Sequence, residues 1–245
     1  MKPKTHFGFK QVNIEDKQKL VSNVFDSVAD RYDIMNDIMS FGLHRLWKER
    51  LMLELKPCED CVLLDVASGT LDIALKFMKN GGNSAIASDI NPNMLENGRK
   101  KLLESRFADS IRLECADAQQ LPFEDNSFDY YTISFGIRNV PDINKALHEA
   151  YRVLVPGGKL ICLEFSNVNN SMIRKLYKYY NFNIIPKVGK IVANDEAAYR
   201  YLAESIAKFP KAEEFSHMIM DAGFEEVSYT KLTFGVVALH IGYKV

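Results

Sequence analysis

The spacing of hydrophobic positions along the chain changes near residue 61. Before this point apolar residues recur every three to four positions, which predicts amphipathic helices within residues 15–55. Between these helices, residues 32–42 carry turn residues and unusual polar content. From residue 61 onward short apolar runs alternate with helical periodicity, and this alternation predicts an α/β fold with a mostly parallel sheet and helices on both faces.

The same patterns give the expected elements and regions. Strands are expected near residues 61–66, 84–89, 110–115, 128–135 and 159–165. Helices are expected near residues 71–80, 92–105, 142–154, 170–180, 195–208 and 211–222. Two last strands, near 224–231 and 234–243, are expected to form a hairpin. We predict an N-terminal helical extension over residues 1–56 and an α/β domain over 57–245, with a substrate-covering insert near 166–208, as one structural unit.

Composition narrows the class of protein. The chain has 245 residues, enough for one elaborated domain, and its net charge of −1 argues against a nucleic-acid partner. No apolar run reaches the roughly 18 residues of a membrane span, and the start lacks the apolar region of a signal peptide. We therefore expect a cytoplasmic protein.

Cysteine spacing gives one weak motif. Cys58 and Cys61 have C-x-x-C spacing, but Cys115 and Cys162 lie in separate strand patterns. Because no second close pair completes a zinc site, we predict neither a metal nor a redox role, and we expect reduced thiols.

Residues 62–71 (VLLDVASGTL) are the most informative stretch. An apolar strand ends at Asp65, and small residues then form a turn before a helix, an arrangement that holds a ligand at a strand end. Asp89 ends the next strand 24 residues later, a spacing that suits a carboxylate on ribose hydroxyls. Only Gly69 matches the dinucleotide fingerprint, so we predict S-adenosylmethionine, which has a ribose and no phosphate. The alternative is an ordinary strand–helix turn.

Polar residues also follow the third and fourth strands. Asp117 and the backbone of Ala118 suit an adenine edge, although Asp117 also suits a simple turn cap. After the fourth strand, Arg138 could polarise a ligand oxygen and Asn139 could orient one. The alternative for Arg138 and Asn139 is a structural role, namely an ion pair with Asp142 within the loop and a cap at the N-terminus of the next helix.

At this point the chain resembles class I S-adenosylmethionine-dependent methyltransferases and, more narrowly, the ubiquinone/menaquinone biosynthesis C-methyltransferase family. Two long segments carry the resemblance, 32–47 (YDIMNDIMSFGLHRLW) and 152–166 (RVLVPGGKLICLEFS). Shorter matches are residues 134–139, 193–195, 199–205 and 235–240. The resemblance extends from about residue 6 to the end. It implies a Rossmann-like, seven-stranded, mostly parallel sheet with an antiparallel last strand.

The resemblance also implies site residues. Cofactor contacts are expected from Thr70, Asp89, Asp117, Ala118 and Ser134, to which the loop pattern adds Asp65 and Gly69. The implied reaction is methylation of a ring carbon of a polyprenylated quinol, either 2-polyprenyl-6-methoxy-1,4-benzoquinol in ubiquinone biosynthesis, demethylmenaquinol in menaquinone biosynthesis, or both. The chain's two ends look more like members that serve ubiquinone.

Ring-carbon methylation requires a base and stabilisation of the phenolate. The candidates are Tyr32, Asp33, His44 and Arg138, together with Asn139. Arg138 stays protonated and suits oxyanion stabilisation, whereas His44 has a suitable pKa for a base and suits a structural role equally well.

The cofactor loop departs from the family pattern. Residues 68–72 read Ser-Gly-Thr-Leu-Asp where the family has Gly-Gly-Thr-Gly-Asp, and Val155 replaces a basic residue. We expect Leu71 to be the first helical residue, with a helical φ and its side chain turned away from the ligand. A Leu71 side chain inside the cofactor site would instead favour a catalytically silent scaffold of a quinone-biosynthesis assembly. A dehydrogenase is disfavoured by the missing glycines.

Residues 166–194 combine basic and aromatic side chains and contain no acid. The basic members are Arg174, Lys175, Lys178, Lys187 and Lys190. This composition suits peripheral contact with an anionic membrane, at its inner face, where a prenylated substrate is met. A lid helix with solvated lysines explains it equally well.

Overall fold

The computed structural model describes residues 4–245, except for the side chain of residue 30. Its N-terminal region begins with an antiparallel hairpin, β1 (Lys4–Phe7) and β2 (Lys10–Asn13), which the sequence analysis missed. Three helices follow: α1 (Ile14–Val28), α2 (Tyr32–Ser40) and α3 (Leu43–Leu55). A short 3₁₀ turn, Ala29–Arg31, joins α1 to α2.

Residues 32–42, noted above for their turn residues and polar content, contain a helix to which the sequence analysis gave no bounds. Most of this segment is helix α2, whose polar residues lie on one side while Met35 is fully buried. The turn is limited to Phe41 and Gly42, which have φ values of 51° and 74°. Two successive left-handed residues end α2 and let α3 start in a new direction.

The remaining strands form one seven-stranded sheet. They are β3 (Val62–Val66), β4 (Ser84–Asp89), β5 (Ile111–Cys115), β6 (Phe128–Ser134), β7 (Leu154–Phe165), β8 (Glu225–Leu232) and β9 (Val237–Tyr243). Their order is β5-β4-β3-β6-β7-β9-β8, and β9 runs antiparallel to both of its neighbours. The predicted Rossmann-like fold, with a mostly parallel sheet and an antiparallel last strand, is therefore confirmed, as is the final hairpin.

Helices cover both faces of this sheet. They are α4 (Asp72–Lys79), α5 (Pro92–Leu103), α6 (Ile143–Val153), α7 (Ser171–Tyr179), α8 (Ile185–Ala193), α9 (Glu196–Lys208) and α10 (Ala212–Asp221). The sequence analysis missed α8 because Pro186 and Gly189 look like helix breakers. Pro186 is tolerated in the first turn, and Gly189 is needed because a Cβ there would lie 2.0 Å from the ring of Tyr199. No helix within residues 4–245 is both long and apolar enough to cross a membrane.

Three hydrophobic clusters hold these layers together. One sheet face packs on α6 and α10 through residues such as Leu147 and Phe215, and the other packs on α3 and α4 through Leu51 and Phe77. A third cluster joins α1 and α2 to α8 and α9. The N-terminal helices and the insert between β7 and α9 therefore meet each other in a helical layer of their own.

The expectation of reduced thiols at the C-x-x-C motif was wrong for this structure. Cys58 and Cys61 form a disulfide just before β3, with their Cα atoms 5.4 Å apart. Cys115 and Cys162 remain free, as expected from their separate strands. No group of ligands for a metal ion occurs among the described residues.

Candidate active site

A cavity with two arms lies at the carboxyl ends of β3, β4 and β6. The small arm, about 90 Å³, is lined by residues that follow these strands and β5, and by one side of α1. The large arm, about 290 Å³, extends between the N-terminal helices and the insert. The two arms share the residues Phe25, Tyr32, Ala67, Gly69, Ser134, Phe135 and Asn139. One continuous site can therefore hold a ligand in each arm.

The loop between β3 and α4 has a left-handed residue at every second position. Ala67, Gly69 and Leu71 have φ values of 52°, 55° and 67°. The expected helical φ of Leu71 was therefore wrong, because α4 begins only at Asp72 and Leu71 caps it. A left-handed leucine costs roughly 1–2 kcal/mol, so its packing has to compensate for the strain.

That packing places the Leu71 side chain away from the ligand, as expected. Leu71 is fully buried and lines neither arm of the cavity. It lies over Gly98 of α5, where an added Cβ would come within 2.6 Å of the leucine Cγ. The observation that would have favoured a silent scaffold, a leucine inside the cofactor site, is not found.

Two carboxylates define the small arm. Asp89 accepts hydrogen bonds from the backbone N–H groups of Gly69 (2.8 Å) and Asn91 (2.9 Å), so the loop and the strand end are fixed together. Burial raises the pKa of Asp89, and these N–H groups oppose the rise. Asp117 accepts from the backbone N–H of Gln119 at 2.9 Å and also lines the arm with Ala118, so it caps a turn and faces the ligand site.

Asp65 and Thr70 lie in the wall of the large arm. Asp65 accepts a hydrogen bond from Thr132 at 2.8 Å, and burial raises its pKa to about 7. The Thr70 hydroxyl donates to Asp33 at 2.8 Å and lies 2.9 Å from the amino group of Lys101. Asp33 lines neither arm, so it acts on the site only through Thr70 and Lys101.

Lys48 of α3 connects the N-terminal helices to the start of α4. Its amino group lies 2.6 Å from Asp72, which also pairs with Lys101 at 3.2 Å. Burial opposes the ionisation of Asp72, but the two lysines outweigh it and lower the pKa of Asp72 to about 2. With Asp33, which also pairs with Lys101, the two lysines face two carboxylates, so the charges of this half-buried network balance within the protein.

Arg138 forms a buried ion pair with Glu164, not with Asp142 as the alternative interpretation had it. The guanidinium Nη1 lies 2.9 Å from a Glu164 oxygen, and the guanidinium carbon lies 5.2 Å from the centre of the Phe165 ring. Asp142 instead caps α6 by accepting from the N–H of Lys145. Arg138 is therefore held rigidly in the wall of the large arm.

Asn139 lies where the two arms meet. Its Oδ1 accepts a hydrogen bond from the Tyr201 hydroxyl at 2.9 Å, which directs its Nδ2 to a different side. From α1, the buried amino group of Lys17 donates to the carbonyl oxygen of Val140 at 2.9 Å and lies 3.4 Å from that of Arg138. An N-terminal helix thus fixes the loop that carries both candidates.

His44 is buried in the wall of the large arm and contacts Asp37. Its Nε2 lies 2.8 Å from Asp37, whose carboxylate also accepts two hydrogen bonds from Arg45. These bonds, from Arg45 first and then His44, hold the pKa of Asp37 well below its usual range. Burial lowers the pKa of His44 below its usual 6.5 despite the Asp37 contact. His44 is thus neutral near pH 7.

Tyr32 lies between the arms, over Gly69. Burial raises its pKa to about 12, and Arg138 opposes this rise. A phenol with so high a pKa donates hydrogen bonds at neutral pH and does not act as a base.

Several buried polar atoms in this cavity wall have no hydrogen-bond partner among the described residues. They are His44 Nδ1, Asp65 Oδ2, Ser68 Oγ, Ser134 Oγ, Asn139 Nδ2 and Asn181 Oδ1. Buried polar atoms without partners are rare in folded proteins, so a cluster of them indicates a polar ligand.

The cavity brings together every predicted site residue except Asp33, although their roles remain predictions. The sequence analysis missed Glu164, Asp37, Lys17 and Asn181. Glu164 had a usable signal, since it is the one charged residue in the apolar run 160–165. The other three gave no such signal. Lys17 bonds carbonyl groups 121 and 123 residues away, Asp37 pairs with His44 and Arg45 across the turn between α2 and α3, and Asn181 is placed by the π-helix.

Comparisons with known proteins agree with this geometry. A sequence profile of the ubiE/COQ5 methyltransferase family matches residues 11–244. The ubiquinone/menaquinone biosynthesis C-methyltransferase UbiE of Rickettsia prowazekii is 54% identical over 246 residues, covering 98% of this chain and 99% of the relative. Its namesake from Rickettsia bellii is also 54% identical, covering 98% of each chain.

Solved structures support the fold alone. An S-adenosylmethionine-dependent methyltransferase from Thermotoga maritima superposes with a TM-score of 0.62 at 22% identity, covering 91% of this chain and 100% of that one. One from Methanococcus maripaludis gives 0.61 at 19% identity, covering 89% and 92%. With the sequence match over nearly the whole length, the chain belongs to the ubiE/COQ5 methyltransferase family.

Proposed function

We propose that this protein transfers the methyl group of S-adenosylmethionine to a ring carbon of a polyprenylated quinol, in ubiquinone biosynthesis, menaquinone biosynthesis or both. The observation that carries the proposal is the two-armed cavity. A small arm with ribose-type carboxylate chemistry opens into a large, mainly apolar arm that contains a buried arginine and a neutral histidine. The UbiE relatives, named for this methylation, are 54% identical over nearly the full chain.

The residues present fit S-adenosylmethionine. Asp89 would hold the ribose, because each of its oxygens accepts one backbone N–H and keeps a lone pair for a hydroxyl. Asp117 and Ala118 would hold the adenine, and Ser134 has an unpartnered buried hydroxyl where the arms meet. When bound, the cofactor supplies an electrophilic methyl group on a sulfonium centre.

His44 is the proton acceptor that the geometry favours among the candidates. The ring carbon becomes a good nucleophile when the neighbouring hydroxyl loses its proton. His44 is neutral, its Nε2 contacts Asp37, and its Nδ1 has no partner among the described residues. Tyr32 stays protonated, and Asp33 lies outside the cavity. The ring carbon gains the methyl group as the sulfonium carbon–sulfur bond breaks, and it then gives up its own proton to solvent, which restores the aromatic ring. The resulting phenolate oxygen takes back the proton that His44 accepted.

Arg138 and Asn139 are suited to stabilise the phenolate. Arg138 carries a permanent charge that Glu164 and Phe165 hold in place, so little reorganisation is needed during the reaction. Asn139 offers an Nδ2 donor that its contact with Tyr201 keeps oriented.

The prenyl tail would follow the apolar part of the large arm. There the wall is formed by α1, α2, α8 and α9, through Val28, Met35, Ile185 and Leu202. A polyprenyl chain has no hydrogen-bonding groups, and a wall of aliphatic side chains suits it.

We extend this proposal to peripheral contact with an anionic membrane through residues 166–194. On α7, Met172, Leu176 and Tyr179 are exposed, and Ile191 of α8 is 83% exposed. Within the side chains that the structure describes, the basic residues of this stretch have no acidic partner, which suits lipid phosphates. Reversing Arg174, Lys175 and Lys178 to Glu should release the protein from phosphatidylglycerol vesicles, whereas unchanged co-sedimentation at low salt would contradict the contact.

The function is tested by a direct assay. The purified protein would be incubated anaerobically with S-adenosylmethionine and short-tailed forms of both quinols, and the products identified by mass. We expect a product heavier by one CH₂ from at least one quinol. Cofactor binding without methylation of either quinol would contradict the proposed reaction and favour the scaffold.

A further inference from the structure

The insert changes its helical pitch beside the large arm. After α7 ends, residues Tyr180–Ile184 form a π-helix before α8 begins. Such wide turns are rare and occur frequently at functional sites. Two asparagines on this turn face different environments: Asn181 is 4% exposed and lines the large arm, whereas Asn183 is exposed to solvent. The π-helix therefore turns one amide into the cavity.

The amide of Asn181 is only partly satisfied. Tyr177, four residues earlier, lines the same arm. Burial raises the pKa of Tyr177 to about 12, and the Asn181 side chain opposes this rise, which fits an amide nitrogen directed towards the phenol. Asn181 Oδ1 is buried without a partner among the described residues. The free atom is therefore an acceptor that requires an O–H or N–H donor.

Its surroundings in the cavity wall limit what that donor can be. Arg138, Phe165 and Tyr180 line the same arm as Asn181, so this arm offers a ligand aromatic side chains and one cationic group. An aromatic ring that carries a hydroxyl group suits all of these neighbours. The hydroxyl donates to Asn181, and the ring packs on the aromatic side chains.

We propose that Asn181 Oδ1 accepts a hydrogen bond from a ring hydroxyl of the substrate and thereby selects the reduced quinol over the oxidised quinone. A quinone presents carbonyl oxygens, which only accept hydrogen bonds, so Oδ1 would stay buried without a partner. The inference rests on the proposed function and deepens it, because the enzyme then binds preferentially the redox form whose ring carbon can be methylated.

The test measures binding of both redox forms and does not depend on turnover. The chain's one tryptophan, Trp47, lines the large arm, so its fluorescence should report ligand binding there. Short-tailed 6-methoxy-1,4-benzoquinol and the matching quinone would be titrated anaerobically with S-adenosylhomocysteine present to prevent methyl transfer. The variants are Asn181→Leu, Asn181→Asp and, as the matched control on the solvent side of the same turn, Asn183→Leu.

We expect Asn181→Leu to raise the quinol Kd by roughly 5- to 10-fold, because one neutral hydrogen bond is lost. The quinone Kd should change by less than about twofold, because the quinone makes no such bond. Asn181→Asp keeps the acceptor and should preserve the preference for the quinol. Asn183→Leu should match the wild type.

Equal effects of Asn181→Leu on both redox forms, or no effect on either, would overturn the proposal. So would an Asn181→Asp variant that loses quinol preference as the leucine variant does, since the amide nitrogen would then be the contact atom. Unchanged S-adenosylhomocysteine affinity establishes that each variant is folded. A wild type that binds neither quinol would contradict the proposed function itself.

Discussion

The small and large arms of the cavity are built in different ways. In the small arm, Asp89 and Asp117 already accept backbone hydrogen bonds from Gly69, Asn91 and Gln119, so their positions are fixed by the strand ends. In the large arm, side chains from α3, the π-helix and the loop after β3 contribute polar atoms that have no partner among the described residues. Backbone hydrogen bonds therefore preset the carboxylates of the small arm, whereas more of the polar side chains in the large arm lack partners.

This difference suggests how affinity and rate are divided between the arms. An arm whose carboxylates are already held in place binds its ligand with little rearrangement, so changes there should act on cofactor affinity. Changes in the large arm should act on turnover and on the choice of substrate. The predictions that follow test this separation, beginning with the largest effect.

Arg138→Ala is expected to reduce kcat by about 10²–10³ and leave S-adenosylmethionine affinity nearly unchanged, because a fixed oxyanion donor is lost from the large arm. Glu164 would remain buried without its counter-charge, so the free energy of unfolding should fall by about 3–5 kcal/mol. Steady-state kinetics, calorimetry and urea denaturation measure the three quantities.

The double variant Arg138→Ala/Glu164→Gln separates the two effects. It should recover much of the stability, since no charge is left unpaired, and none of the turnover. Recovery of turnover in the double variant would show that Arg138 has only a structural role.

His44→Gln is expected to lower kcat by about 10² at pH 8, because a base is removed and the space is kept. Since burial holds the pKa of His44 below 6.5, the imidazole is neutral above that pH. In the wild type, kcat/KM should therefore fall as the pH falls through this lowered pKa. Asp37→Asn removes a contact that raises the pKa of His44 and should move this acid limb to lower pH. If the acid limb of the kcat/KM profile does not move in Asp37→Asn, the limb reports the titration of a group other than His44.

Asp89→Ala tests the small arm. It should raise the Kd of S-adenosylmethionine by about 10- to 100-fold, because charge-assisted hydrogen bonds to the ribose are lost. With saturating cofactor, kcat should stay within a few-fold of the wild type. Glu96→Ala, on the exposed side of α5, serves as the control. Cofactor affinity within twofold of wild type for Asp89→Ala would remove the assigned role.

Leu71→Gly should have the smallest effect on function. It relieves a left-handed leucine and removes a fully buried side chain, so we expect a net loss of about 1–3 kcal/mol in unfolding free energy. Cofactor Kd should stay within twofold, because the side chain lines neither arm. Gly98→Ala, which forces a Cβ against Leu71, should destabilise in the same way. A large change in cofactor affinity for either variant would contradict this separation.

The sequence predicted the small arm far better than the large one, for a physical reason. In a parallel sheet each strand ends at the same edge, so Asp89 and Asp117 can be placed near a common ligand from strand positions alone. The large arm is assembled from helices whose partners lie far along the chain, as when Tyr180 of the insert donates to the carbonyl of Met39 in α2.

The backbone conformation of the loop between β3 and α4 also could not be predicted from the sequence. Leu71 was expected to be helical because leucine avoids positive φ, yet the space above Gly98 stabilises the left-handed form. The preference of leucine for negative φ was outweighed by its contact with Gly98 of α5, and a contact between distant residues cannot be read from the pattern around one residue.

The Lys17 contact has a consequence for protein engineering. This lysine reaches from α1 to the carbonyl oxygens after β6, so the loop carrying Arg138 is held partly by the first helix of the chain. Exchanging the N-terminal helices between relatives would therefore change the position of the Arg138 loop as well as the helices that cover the substrate site. Such a chimaera would keep the support of the Arg138 loop only if the incoming helix carried an equivalent lysine. The N-terminal helices and the loop after β6 should therefore be exchanged together.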